Sequence, residues 1–422
     1  MNNTLDKIKD RRTEGCLYCG SLGLYSDEHV VPAGMGGDAP SWLLVDCVCR
    51  TCNTEIFSPL EAELLRRSPV ALARLFSQDG TRDRDTPPTF HARTTLVHDS
   101  VSNLLLAAEP GERGAFHVLP QILCFTDAEG TKVSSTAQTH DALSQFLKKV
   151  SVILRDEVSL VAKQGPRSFQ VSQLHWENDG YVPSPPTRVS KPPRDCVWLE
   201  PLDRPATADQ GTVLPRCLYQ KPQGQVVCRA AGADEACKVL LLVRHHFQDF
   251  LGSMNAPVAQ GNQPTVHIGM ATNMNKADQA LVKTGLNILA FCVSSLVMRD
   301  EAFDEAVKFV LEGEPGSGGS GLVDGNVLGP ALPGRHVLVL QQEGDGSVCF
   351  FAKLYGGSIQ VFELGKLGFR PSALSGPIVL HVDYNAHLIQ RMTLQDHAVS
   401  VSEVQVLGGF TDGSIPVDTP TG

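Results

Sequence analysis

The chain has 422 residues, of which 42% are hydrophobic and 19% charged, and its formal net charge is −10. That length allows two or three domains, and the balance excludes a disordered chain or a coiled coil. A pI of about 5.7 excludes a general basic coat, so any contact with DNA or RNA has to be local or assisted by a metal. In chain order, Met1 to Arg12 is polar and charged and carries no apolar signal-peptide core. The longest uncharged apolar run, Gly285 to Met298, is too short to cross a bilayer. The expectation is a cytoplasmic protein with no membrane partner, in a compartment where disulfides are rare.

Four segments read as breaks: residues 77–89, 179–210, 312–334 and the tail from about Gly408. They are rich in Pro, Gly or charge, which favours solvated, extended chain. They suggest an N-terminal module over 1–76, a linker over 77–89 and a larger α+β region over 90–422, with an internal boundary near 179–210. Within that region, apolar periodicity predicts helices over 140–158, 233–251 and 275–298, then another over 301–311. Asp300 is placed to cap the last of these and Gly313 to end it. Residues 336–342, 347–355 and 358–364 read as an antiparallel β-meander joined by tight Gly turns, and 377–384 as one more strand.

Five of the 12 Cys crowd into residues 16–52. Cys16/Cys19 and Cys49/Cys52 are two Cys-x-x-Cys pairs, each able to present two thiolates to one ion. Four thiolates suit a closed, tetrahedral structural Zn²⁺ site. Their separation exceeds that of compact zinc ribbons, so structure must form between them. Cys47 shares a strand face with Cys49 and could replace a ligand, although packing is the expected role. The other seven Cys are scattered and read as small buried apolar side chains.

Between the pairs lies Glu28-His29-Val30-Val31-Pro32, followed by Gly34, Gly36 and Gly37, and Asn53 follows the second pair. His29 titrates near neutrality and suits a general base. Glu28 and the amide oxygen of Asn53 are hard oxygen ligands suited to Mg²⁺ or Mn²⁺. Phosphodiester hydrolysis needs such a base and a means of neutralising developing charge. Glu61 and Ser58 are weaker candidates for the same cleft. Arg50, Arg66 and Arg67 are candidate phosphate contacts. His245-His246 and His381-Val382-Asp383 read as ordinary polar positions, the latter on a solvent-facing strand.

The pattern C-x2-C, EHVVP, GG, C-x2-CN resembles the HNH endonuclease family, in its zinc-stapled ββα-metal branch. The resemblance covers about residues 12–75. It implies strands around 24–31 and 43–48 packed on a helix from Thr51 to Arg67, with Ile56, Phe57, Leu60, Leu64 and Leu65 available for its inner face. It also implies His29 as general base, Glu28 and Asn53 as ligands of a catalytic cation, and Cys16, Cys19, Cys49 and Cys52 as zinc ligands. Two positions depart from the pattern. Glu28 stands where Asp is commoner, and Leu44 stands where a middle Asn usually braces the loop holding the His.

Three functions follow as expectations. The first is a metal-dependent nuclease acting on DNA, in bacterial or phage defence or DNA processing. The second is the same nuclease under a regulatory or targeting C-terminal region, with a small-molecule or nucleotide activator and a second copy of the chain as further partners. The third is a non-catalytic zinc module for nucleic-acid or protein interaction.

Overall fold

The structure, a computed structural model, describes residues 14–81, 86–92, 94–111, 115–127, 129–165, 167–252, 265–313, 320–323, 327–367 and 374–409. The polar N-terminal segment lies outside these residues, as do nearly all of the tail and parts of 77–89 and 312–334. The chain divides into two compact units, residues 1–91 with 270–422, and residues 92–269. This differs from the expected division at 77–89. The N-terminal segment and the last third of the chain share one hydrophobic cluster, from Leu17, Val30 and Leu64 through Leu281 and Leu289 to Phe350 and Leu380. A segment of some 60 residues buries only about 60% of its surface by itself, and here its core is continuous with sequence from the other end of the chain.

In the first unit, β1 (Glu28–His29) and β2 (Leu43–Leu44) pair antiparallel, with Glu28 opposite Leu44 and His29 opposite Leu43. The strands are far shorter than the sequence predicts. Pro32 removes a backbone donor soon after β1, and the chain turns there into a short 3-10 helix, Ala33–Met35. A bridge between Tyr25 and Cys49 extends the pairing. Gly37 is required by contact, because a Cβ there would strike the Val31 carbonyl. The expected helix from Thr51 divides into a π-helical stretch, Cys52–Phe57, and an α-helix, Ser58–Arg66. Phe57, Leu60, Leu64 and Leu65 are buried as expected.

The Met274–Cys292 helix is the centre of this unit. Asn273 caps it, accepting from the Lys276 N–H. From Gln279 to Ala290 every residue is buried, as befits a helix covered on all sides. On one side it meets the Ser58–Arg66 helix and β2, and on another the Asp304–Glu312 helix and the sheet strands Arg335–Gln342, Ser347–Lys353 and Ile359–Lys366. Gly285 sits against the Phe350 ring, where a Cβ would come within 2.8 Å of Cγ. The expected meander is present inside a six-stranded antiparallel sheet. The helix expected over 275–298 stops at Cys292, and Ser294 caps a separate short turn, Ser295–Met298. Asp300 and Gly313 cap and end the next helical segment as expected. Residues 77–81 dock onto this unit, with Asp79 N–H donating to Asn385 Oδ1 at 3.0 Å.

The second unit holds a nine-stranded mixed sheet. Cys196–Glu200 runs parallel to both of its neighbours, Glu157–Gly165 and Val226–Arg229. The helices His140–Ile153 and Ala233–His245 contribute Phe146, Leu147, Leu240 and Val243 to the core beside it. The Pro-rich stretch 179–210 is no boundary: it supplies the strands Gly180–Pro183, Thr187–Val189 and Cys196–Glu200. The first two pair only with Ser168–Glu177 and end the sheet, which is where Pro-rich sequence is tolerated. Among the described residues, no helix is long and apolar enough to cross a membrane.

Candidate functional site

The two Cys-x-x-Cys pairs converge. The Sγ atoms of Cys16, Cys19, Cys49 and Cys52 all lie within 4.8 Å of one another. Four thiolates about 2.3 Å from a tetrahedral zinc would sit roughly 3.8 Å apart, so the set fits that ion. Backbone amides point at the sulfurs: Cys49 N–H donates to Cys16 Sγ at 3.3 Å and Cys52 N–H to Cys49 Sγ at 3.5 Å. Gly15, at φ 79°, allows the first knuckle to turn, since a Cβ there would strike the Gly20 carbonyl.

Crowding separates the thiol acidities. Hydrogen bonding with Cys19 pushes Cys16 up to about 12, while the reciprocal bond drives Cys19 far down. Cys52 is pushed far up by its bonds with Cys16 and Cys19. Sulfurs this close need a cation before all four can ionise. Cys47 lies outside the cluster and packs half-buried against the core, and burial pushes its thiol up. Among the described residues this is the only group of three or more His, Cys, Asp or Glu side chains placed to hold a metal.

Beside the cysteines, Asn53 reaches back to the segment that leads into β1. Its Nδ2 donates to Ser26 Oγ at 3.1 Å and to the Asp27 carbonyl at 3.0 Å. The two ends of the motif are thereby joined, with His29 half-buried two residues beyond Asp27. The π-helical stretch that starts at Cys52 is a rare form that often marks functional positions. Arg50, Arg66 and Arg67 are exposed, as is Ser58. Arg67 also pairs with Glu63 at 3.4 Å.

Glu28 has a different environment from the one expected. It is only 4% exposed, and its Oε1 is ion-paired with Lys283 Nζ of the long helix. The same ammonium, fully buried, reaches Glu61 Oε1 at 2.5 Å. Asn287, one turn further along, donates from Nδ2 to Glu28 Oε1 at 3.2 Å and to the His29 carbonyl at 3.0 Å. Tyr18, between the first two cysteines, donates from its hydroxyl to Asn287 Oδ1 at 2.6 Å.

Burial opposes charge on Lys283, but Glu28 and Glu61 more than offset it and the net direction is up. Burial raises Glu28, Lys283 lowers it, Glu61 raises it, and the net direction is also up. The two shifts conflict, since the first favours the ion pair and the second opposes it. We take the ion pair as the resting state, because one ammonium between two carboxylates leaves charge on Glu28 compensated at close range. A divalent ion wants open oxygen ligands that it shares with water and phosphate. With Oε1 committed to Lys283 and Asn287, Glu28 is not an open ligand for such an ion in this arrangement.

No known protein family, curated protein or solved structure matches the chain. The family resemblance therefore rests on the motif residues alone.

Sequence reasoning missed Lys283, Asn287 and Tyr18. The first two carried a usable signal, being polar residues four apart within a run otherwise fit for burial, and buried polar groups need partners. Reasoning also misplaced His381. It is buried rather than solvent-facing, and its Nε2 lies 2.9 Å from His397 Nδ1, because a C-terminal helix covers that strand face. His246 caps the end of the Ala233–His245 helix and contacts Asp249 at 3.0 Å.

Proposed function

We propose that residues 14–76, completed by the Met274–Cys292 helix, form a zinc-stapled HNH-type nuclease site that hydrolyses DNA phosphodiester bonds. The observation that carries this reading is the convergence of Asn53 on Ser26 and Asp27, which gathers the His29 and Asn53 ends of the motif beside the cysteine cluster. His29 would take a proton from the attacking water as the oxygen bonds to phosphorus and the P–O3′ bond breaks, with the departing O3′ taking a proton from solvent water. The exposed cations of Arg50, Arg66 and Arg67 would hold phosphates. The resemblance implies Mg²⁺ or Mn²⁺ as the catalytic ion. Glu28 is committed to Lys283, so the roles assigned to this chain rest on His29 and the arginines. Residues 92–269 would serve regulation or targeting, with a nucleotide or other small molecule as activator.

The second reading, a non-catalytic zinc module for nucleic-acid or protein interaction, is favoured by that same ion pair and by Leu44 at the missing Asn position. A nicking assay on supercoiled plasmid separates the two. Wild type should nick with Mg²⁺ or Mn²⁺, and His29→Ala should be slower by about 10²–10⁴-fold, the usual weight of a general base. Equal inactivity of both proteins, across metals and candidate nucleotides, would leave the non-catalytic reading.

A further inference from the structure

Lys283 and Asn287 lie one turn apart on the same face of the Met274–Cys292 helix, and both are fully buried. Their partners are all in residues 14–76. Lys283 reaches Glu28 and Glu61. The two N–H groups of Asn287 are both used, one on the Glu28 carboxylate and one on the His29 main chain. Its remaining polar atom, Oδ1, accepts from Tyr18. Tyr18 is fully buried too, and its ring meets Phe57 edge-on at 4.6 Å. A side-chain amide with donors and acceptor engaged on three different residues has a single orientation available. It therefore fixes what it touches, and what it touches is the strand end bearing His29 and the knuckle bearing Cys16 and Cys19.

We propose that Asn287 is a positioning residue for His29, with Lys283 as its support, and that it locks His29 to the first cysteine knuckle through Tyr18. The helix is thus a component of the site and not a neighbour of it. Lys283 sets Glu28 so that Glu28 Oε1 meets the amide, and the amide in turn sets the His29 backbone. Residues 14–76 alone would retain the motif and lose this lock. The lock rests on His29 as the working group, but its test does not depend on turnover.

The test uses the full, zinc-loaded chain and the rate at which diethyl pyrocarbonate modifies His29, read by peptide mass spectrometry against the exposed His140. Asn287→Leu removes the lock at similar volume. Tyr18→Phe removes its anchor, together with the hydroxyl's 3.2 Å contact to the Lys283 carbonyl, and serves if the first variant fails to fold. Leu286→Ala, on the same helix, is the packing control. The lock predicts a His29 rate raised at least roughly threefold in Asn287→Leu or Tyr18→Phe, as expected of local opening. Zinc content should stay at one per chain and the Leu286→Ala rate should match wild type. An unchanged His29 rate in the folded variants, or an equal rise in Leu286→Ala, overturns the proposal. A wild type that nicks no plasmid with any of the metals and candidate nucleotides but shows this pattern would sink the nuclease reading and leave the lock standing.

Discussion

Among the described residues, each of the two units carries a buried cluster around a Lys or Arg, and the two clusters are built differently. In the second unit, Glu200 and Arg229 are register partners on adjacent parallel strands, and Glu200 Oε2 accepts from Arg229 Nη2 at 2.9 Å and from the Tyr219 hydroxyl at 2.7 Å. Pairing of the strands is enough to bring those groups together. In the first unit, Lys283 meets Glu28 and Glu61 across more than 200 residues of sequence. No local register produces that contact; it needs the whole core to close around the helix. Glu200 keeps a second cation, Lys221, at 3.8 Å and is partly exposed, whereas Glu28 is buried and depends on Lys283 and Asn287. The sheet cluster can serve as reinforcement, while the cluster beside His29 makes the site conditional on a distant helix.

The largest test of this contrast is removal of zinc. Cys16→Ser with Cys49→Ser, or a strong chelator, should abolish zinc binding and unfold the region around residues 14–76, since structural zinc sites contribute on the order of 10 kcal/mol. Elemental analysis should find one zinc per wild-type chain and none in the variant. Because the cysteines and the long helix share a core, melting of the first unit should shift as a whole. A shift confined to the N-terminal residues would break the idea of one joint core.

Next in size is the loss of a buried cation. Lys283→Met strands two carboxylates and should cost roughly 3–5 kcal/mol in urea unfolding, as when one partner of a buried pair is removed. Arg229→Met should cost less, because Glu200 retains Lys221 and some water. Only the first substitution should alter the reactivity of His29. Equal effects on His29 would erase the difference between the two clusters.

The smallest effect is a pH dependence within the first unit. His336 is fully buried and pushed down to about 3, mainly by burial and then by Arg74. Its ordinary value is about 6.5, so the unfolded chain binds the proton more readily. The stability that neutral His336 contributes is therefore present above pH 6.5 and declines as pH falls toward 3. The slope is about 1.4 kcal/mol per pH unit for this one group. Thiolate protonation acts in the same direction, so the measurement is the difference between wild type and His336→Gln in urea unfolding from pH 7 to pH 5. Parallel slopes for the two proteins would refute the assignment.

Much of the candidate site was legible in the residues themselves. Two Cys-x-x-Cys pairs constrain their own sulfurs locally, and the four converge as the spacing suggested. The Asp300 cap, the Gly313 stop and the Gly-punctuated meander were also legible, because caps and tight turns depend on neighbours within a few residues. The strand lengths around His29 were overestimated, since Pro32 and the 3-10 turn ended pairing early. The Pro-rich stretch 179–210 looked like a boundary because Pro signals irregular chain, but edge strands tolerate it.

By itself, then, the sequence determined the cysteine tetrad, the Glu28-His29 and Asn53 motif and the α+β character, all of which follow from short-range spacing. Only the tertiary structure decided that Glu28 faces an ammonium, that Asn287 holds the His29 backbone and that the two ends of the chain share a core. Those outcomes arise because the short N-terminal segment buries its apolar surface in one core with the long helix. The helix that completes its core brings Lys283 and Asn287 with it, and buried polar groups must then find partners wherever the fold places them.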